Sequence, residues 1–171
     1  AEYAANKEWK VAAAFHFLKS KDPRMEQYLI DGATIAMLRG EWLLAEDFLN
    51  NEILILKDKK NLHNEAYTRY SLAQVYSEMG NFRKARDEVD KSIQIFSKLD
   101  DTEWKNIVEL WSSLLLIHEG QAEKTIEILH KAVAHYHDRD SIKEAVTRLN
   151  LGYALLQVSR FRESAAETQI A

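Results

Sequence analysis

The stretch LHKAVAHYHDRDS, residues 129–141, is the one part of the chain that gathers several side chains able to hold a metal or carry a proton. His130 and His137 stand seven apart, so on a helix they would share a face, and His135, Asp138 and Asp140 lie beside them. Metal ligation needs such donors to converge on one point. The simpler reading is a helix C-terminus carrying histidines, which the helix dipole favours when they are protonated. His16, His63 and His118 are read the same way, as packing or solvated residues before ligands. There is no cysteine, which excludes a disulfide framework, a thiolate metal site and a thiol nucleophile. No G-x-x-x-x-G-K, G-x-S-x-G or H-E-x-x-H motif occurs. The expectation is a non-enzymatic chain with no catalytic residue, no metal and no cofactor.

The elements that would position any site are announced by glycines. Gly40, Gly80 and Gly120 are spaced 40 apart, and Ser159 takes the same place 39 further on. Each is followed by a bulky or small residue and then by helical apolar spacing. Around Gly80, Leu72, Val75, Tyr76 and Met79 mark one helix, and Phe82, Ala85, Val89, Ile93 and Phe96 mark the next. A left-handed residue commonly ends a helix, and glycine adopts that conformation without steric penalty. Asn81 is placed to cap the second helix. Trp42, Phe82 and Phe161 are expected to plug the crossing of the two helices, with Ala45, Ala85 and either Ser164 or Ala165 allowing close approach.

Five glycines and one proline in the whole chain argue for long helices and few irregular turns. Asp22–Pro23, Asp100-x-x-Glu103 and Ser141-x-x-Glu144 read as helix starts. The segments at 57–64 and 136–141 read as long loops between repeats. The resulting division is an N-terminal helix at 1–20, repeats at 23–62, 63–101 and 102–140, and a fourth repeat, cut short, at 141–171. Trp9, Ala12 and His16 match the spacing of Trp42, Ala45 and Leu49, so residues 2–20 read as the second helix of a further repeat, and the whole as a piece of a larger protein. Lys and Arg total 23 against 27 Asp and Glu, a net charge of −4 without any basic stripe, so no direct nucleic-acid contact is expected. No apolar run is long enough to span a bilayer. Absence of cysteine fits a reducing, cytoplasmic compartment.

The pattern resembles the tetratricopeptide repeat (TPR) family. SLAQVYSEMGNFRKARDEV matches through Leu72, Ala73, Tyr76, Gly80, Phe82, Ala85 and Val89, and NLGYALLQVSRFRESAAET through Leu151, Gly152, Phe161 and Ala165. The family's usual period is shorter and its terminal proline is missing here. The 39–40-residue period instead resembles the long-repeat, MalT-like regulatory arms of signal-transducing STAND ATPases and LuxR-type regulators. The resemblance implies an all-α, right-handed α-solenoid of helix-turn-helix TPR-like repeats that binds on a concave face lined by first helices.

On that face the resemblance places Gln27, Ile30, Thr34 and Met37; Tyr67, Tyr70, Gln74 and Ser77; Ile107, Leu110, Leu114 and His118; and Val146, Leu149, Tyr153 and Gln157. The basic clamp with which chaperone-tail binders of the family hold a carboxylate is replaced by Ile30, Tyr70, Leu110 and Leu149, which argues against a co-chaperone. An apolar and aromatic groove with hydroxyl and amide tips suits an apolar peptide or protein partner, or a small effector such as a sugar stacked on Tyr67, Tyr70 and Tyr153. The alternative for Leu110, Leu114 and Leu149 is packing against adjacent helices. Two functions follow: a sensor or scaffold arm of a larger bacterial transcriptional regulator coupled to an ATPase, or a peptide-binding adaptor without one. Self-association through exposed array ends is compatible with either.

Overall fold

The computed structural model describes residues 9–16, 19, 25–137 and 139–171, and the expected Asp22–Pro23 cap lies outside these. The described residues are helices joined by short turns. Residues 9–16 are helical, and then follow α1 (Met25–Leu38), α2 (Trp42–Asp58), α3 (Leu62–Glu78), α4 (Phe82–Lys98), α5 (Thr102–Ser112), α6 (Leu115–His118), α7 (Ala122–Tyr136), α8 (Ser141–Gln157) and α9 (Phe161–Ile170).

The turns share one geometry except between α7 and α8, where His137 and Asp140 are extended. Gly40, Gly80 and Gly120 all sit in the left-handed region, at φ 72°, 72° and 74°. Lys60 and Asp100 sit there too, at φ 54°, so the turn inside a repeat is also the turn that joins the first repeat to the second and the second to the third. The next N–H reaches back across the turn to a carbonyl of the ending helix: Glu41 to Ala36 at 2.9 Å, Asn61 to Leu56 at 2.9 Å, Asn81 to Tyr76 at 2.8 Å and Asp101 to Phe96 at 3.0 Å. This is the Schellman closure, which satisfies carbonyls the helix leaves orphaned. The expected long loop at 57–64 is therefore not there. Helices α2, α3 and α4 are 17 residues each, and the longer helices, not the connections, lengthen the period.

Helix starts shift by one residue from expectation. Asp101, not Asp100, accepts the backbone N–H of Trp104 at 3.1 Å, and Asp140, not Ser141, accepts that of Lys143 at 3.0 Å. Asn81 caps α4 as expected, accepting from Lys84 at 3.4 Å.

The chain forms two compact units, Ala1–Lys105 and Asn106–Ala171. In the first, α1 packs on α2, α2 on α3 and α3 on α4, around Leu29, Phe48, Leu49, Leu72, Val75 and Phe96. In the second, Ile126, Leu129, Val133, Leu151, Ala154 and Leu155 form the core. Paired helices approach through small residues: Ala45 and Ala85 are fully buried, and Ser164, not Ala165, takes the equivalent place on α9. Its hydroxyl donates to the Gly152 carbonyl at 2.9 Å, as that of Thr125 donates to Ser113 at 2.7 Å. A Cβ on Gly152 would stand 2.7 Å from the Thr168 methyl, so α8 and α9 approach closely there. Trp42 and Phe82 are half-buried at the start of their helices, but Phe161 is 63% exposed and plugs nothing. At the N-terminal segment Ala13 and Ala14, not Trp9, Ala12 and His16, are the buried residues.

A charged lock holds two of the pairs. Arg69 on α3 bonds Glu65 one turn earlier at 2.8 Å and Glu88 on α4 at 2.5 Å, with all three side chains nearly buried. Arg148 on α8 bonds Glu144 at 2.8 Å and Glu167 on α9 at 2.5 Å. The second lock repeats the first at one constant offset in sequence, Glu65 matching Glu144, Arg69 matching Arg148 and Glu88 matching Glu167. One repeat before Arg69 and Glu88 stand Leu29 and Phe48, both fully buried; one repeat after stand Glu109 and Ile128. The pairs thus alternate between ionic and non-ionic closure.

Candidate functional site

The sequence-predicted residues lie on first helices, some exposed, some half-buried and some packed on the core. On α3, Tyr67 is 39% exposed and lies edge-on to Trp104, ring centroids 5.1 Å apart. Tyr70 is half-buried one turn on, and Gln74 donates its amide to the Tyr70 hydroxyl oxygen at 3.1 Å. Burial, and after it the neighbouring Tyr67, pushes the Tyr70 pKa up to about 12, so its hydroxyl stays neutral throughout the physiological range. Ser77 is half-buried. His63 completes the aromatic group: it packs edge-on against Phe96 and Trp104, and its Nε2 lies 3.1 Å from Asp101 Oδ2. Tyr67, Tyr70 and Gln74 therefore form one shelf with Trp104 as its side wall. On α1, Thr34 is exposed and turns its hydroxyl back onto the Ile30 carbonyl at 2.8 Å, while Met37 is half-buried.

In the second unit Tyr153 is 44% exposed, with Gln157 exposed one turn later. They belong to a larger feature. Val146 (51% exposed), Leu149 (52%), Tyr153 and Leu156 (46%) follow one another at spacings of three and four along α8. Those spacings place all four on one face of the helix. Leu110 and Leu114, by contrast, pack against the core of this unit, which settles the alternative left open for them. His118 is exposed at the end of α6.

The third pair holds a feature that residue spacing did not reveal. Between α5 and α7 lies a groove of about 460 Å³, floored by Leu110, Ile128, Ala132 and Tyr136 and edged by Asn106, Glu109, Lys131 and His135. Its place is where Arg69, Glu88 and Ser92 close the second pair, Ser92 donating to the Ala66 carbonyl at 2.8 Å. Glu109, Ile128 and Ala132 occupy those positions in the third pair and can form neither closure. The first helix is broken as well. Leu114, Leu116 and Ile117 bond three residues back at 3.0, 3.1 and 3.2 Å, a tighter helical winding, while Thr125 holds the Ser113 carbonyl. The signal lay in the missing lock, which becomes visible only once the lock itself is known.

The histidine stretch does not converge. His137 lies beyond the end of α7, off the helix face shared with His130, with its Nδ1 3.1 Å from Glu144. His135 rests edge-on against Tyr136 with Arg139 3.3 Å from its Nδ1. Arg148 first, and then His137, holds the Glu144 carboxyl below its ordinary pKa. Among the described residues no three His, Asp or Glu side chains are grouped to hold a metal, and Asp138 lies outside them. No helix among the described residues is long and apolar enough to cross a membrane.

No family model matches the chain, and no curated protein matches it significantly. Solved structures do. BtubC (BKLC) from P. vanneervenii superposes with a TM-score of 0.69 at 15% identity, covering 99% of this chain and 71% of its own. A Podosopora anserina protein described as a kinesin light chain with nearly identical TPR-like repeats superposes with a TM-score of 0.63 at 16% identity, over 96% and 81%. A variant of that protein gives 0.65 at 17% identity over the same shares. At such identities a likeness speaks for the fold, and with the recurring helix pairs it shows that this chain is an α-solenoid-class protein of TPR-like helical repeats.

Proposed function

We propose that the chain is a binding module whose first-helix faces take a protein or peptide partner. The observation that carries this reading is the α8 stripe of Val146, Leu149, Tyr153 and Leu156, each between 44% and 52% exposed. Large side chains left open to water at helical spacing are the counterpart of the apolar face of an amphipathic helix. The Tyr67–Tyr70–Gln74 shelf adds aromatic area with polar tips, which suits side chains that both stack and donate.

The MalT-like resemblance places such a module as the sensor or scaffold arm of a larger cytoplasmic regulator coupled to an ATPase. The alternative is an assembly adaptor with no ATPase attached. A nucleotide-binding P-loop followed by a winged helix upstream in the parent gene supports the arm, and any other upstream architecture supports the adaptor. A small effector is the second reading for the ligand, favoured by the groove of about 460 Å³ in the third pair, a volume within the range of small-molecule sites.

The test is a set of variants read against capture of a partner identified by cross-linking to the purified chain. Leu149→Asp and the Tyr70→Ala/Tyr153→Ala double variant are expected to lose capture by tenfold or more with little change in melting temperature. Leu54→Asp, at a 64% exposed position on α2, is expected to retain it. Unfolding of the Tyr70/Tyr153 variant would show those rings to be structural instead.

A further inference from the structure

We infer that the groove between α5 and α7 binds a short apolar peptide, two residues long and free at both ends, with its ammonium on Glu109 and its carboxylate on Lys131 and His135. This names a ligand class for the small-effector reading above and rests on that reading. The groove is dipolar across its width. Glu109 and Asn106 edge it on the α5 side, Lys131 and His135 edge it on the α7 side, and Leu110 and Ile128 lie on the apolar floor between them. A carboxylate on one wall facing an ammonium and an imidazole on the other is complementary to a zwitterion. A ligand carrying one charge, or none, satisfies at most one wall. The Asn106 amide adds a donor and an acceptor for the peptide group between the two ends. The space is the one in which Arg69 meets Glu88 in the second pair, so a charged contact across it has a precedent within the chain.

The α7 wall is set up to receive a carboxylate. Arg139 stands 3.3 Å from His135 Nδ1, and a guanidinium can only donate, so Nδ1 accepts and the ring proton of the neutral imidazole sits on Nε2. The ring rests edge-on against Tyr136, centroids 5.1 Å apart. Lys131 pairs with Glu127 at 2.6 Å, but both side chains are largely open to water. Exposed pairs of this kind are weak, so a ligand carboxylate can displace Glu127. Length selects the ligand further. Packed helix axes stand about 8–10 Å apart, and an extended residue spans about 3.3–3.6 Å. Two residues therefore carry their ends to opposite walls, which Glu109 and Lys131 meet by reaching inward. A free amino acid holds both charges on one carbon and reaches only one wall. The volume of about 460 Å³ accommodates two apolar side chains over Leu110 and Ile128.

Amide chemical-shift titrations of the whole chain test it, with leucyl-leucine as ligand beside its N-acetyl form, its C-terminal amide and the doubly blocked peptide. Leucyl-leucine is expected to move the amides of the groove residues saturably. Each single block is expected to weaken binding about tenfold, the worth of one charge-assisted contact. Glu109→Gln is expected to weaken leucyl-leucine by the same factor and to leave the N-acetyl form unchanged, because that form has no ammonium to lose. Lys131→Met is expected to weaken leucyl-leucine and to spare the C-terminal amide. Glu109 and Lys131 are both exposed, so neither change threatens the fold. A doubly blocked peptide that binds the groove as tightly as leucyl-leucine overturns the proposal and leaves a neutral effector in its place. Equal weakening of the free and N-acetyl peptides by Glu109→Gln also overturns it. So do groove amides that none of the four peptides moves; indole, an uncharged apolar probe, then decides the underlying reading, which survives if indole moves them and falls if it does not.

Discussion

Ser159 is the residue at which the array departs most plainly from its own rule. It holds φ 62° at a place where Gly40, Gly80 and Gly120 hold nearly the same angle, and a Cβ in that region crowds the following carbonyl. Ser159→Gly is expected to stabilise the chain by about 1 kcal/mol, a rise of roughly 2–4 °C in melting temperature for a chain of this size. Gly80→Val should act in the opposite sense, costing about 2 kcal/mol. No atom lies within 4 Å of a Cβ built on Gly80, so this cost comes from the backbone alone. Thermal melts of the two variants check both signs. The glycine turns were legible from spacing because glycine advertises a positive φ. Lys60 and Asp100 hold the same conformation with ordinary side chains, so nothing in their residue types marks the turns between repeats as tight.

At the scale of elements, the helix pairs were readable because apolar residues recur at helical spacing, whereas what closes each pair was not. Arg69 occupies a place that looks, in sequence, like one more surface charge; only burial reveals that it lies between two carboxylates. Removing one partner from a buried ionic group leaves the others uncompensated, so Arg69→Ala is expected to destabilise by about 3–5 kcal/mol. The first pair shows what can replace Arg69 and Glu88, since Leu29 and Phe48 stand fully buried in their places. Replacing all three charges as Glu65→Leu/Arg69→Leu/Glu88→Phe should leave stability within about 1 kcal/mol of wild type, because a packed apolar set performs as well as a buried ion pair. Urea titrations of both variants decide it; a triple variant as unstable as Arg69→Ala would show that the lock contributes more than its geometry implies. The same reasoning accounts for the candidate site. The tyrosines of α3 and α8 could be nominated from position alone, but the groove beside Tyr136 arises from residues that fail to form a lock, and a failure leaves no motif.

For the whole molecule, alternating closures set a rule for how the array can be lengthened. A second copy of residues 81–159, inserted after Ser159, brings Glu88 onto the helix carrying Glu144 and Arg148 and so rebuilds the lock. A second copy of residues 81–120, inserted after Gly120, sets Glu88 against Glu109, two carboxylates where the locked pairs hold a carboxylate and an arginine. Stability of repeat arrays grows with each well-formed neighbour interface. The longer insertion is therefore expected to raise the melting temperature and the shorter to lower it or leave it unchanged, with circular dichroism as the readout.

The recurrence of one turn at Gly40, Lys60, Gly80 and Asp100 has a meaning for descent. Any crossover between two such turns rejoins a helix end to a helix start with the Schellman bonds intact, so the backbone tolerates gene-level duplication or loss in steps of a single helix. The side chains do not. Glu65, Arg69 and Glu88 find their matching set in Glu144, Arg148 and Glu167, two repeats further along, so the heritable module is a double pair. Natural variants of this array are expected to differ in length by that larger step.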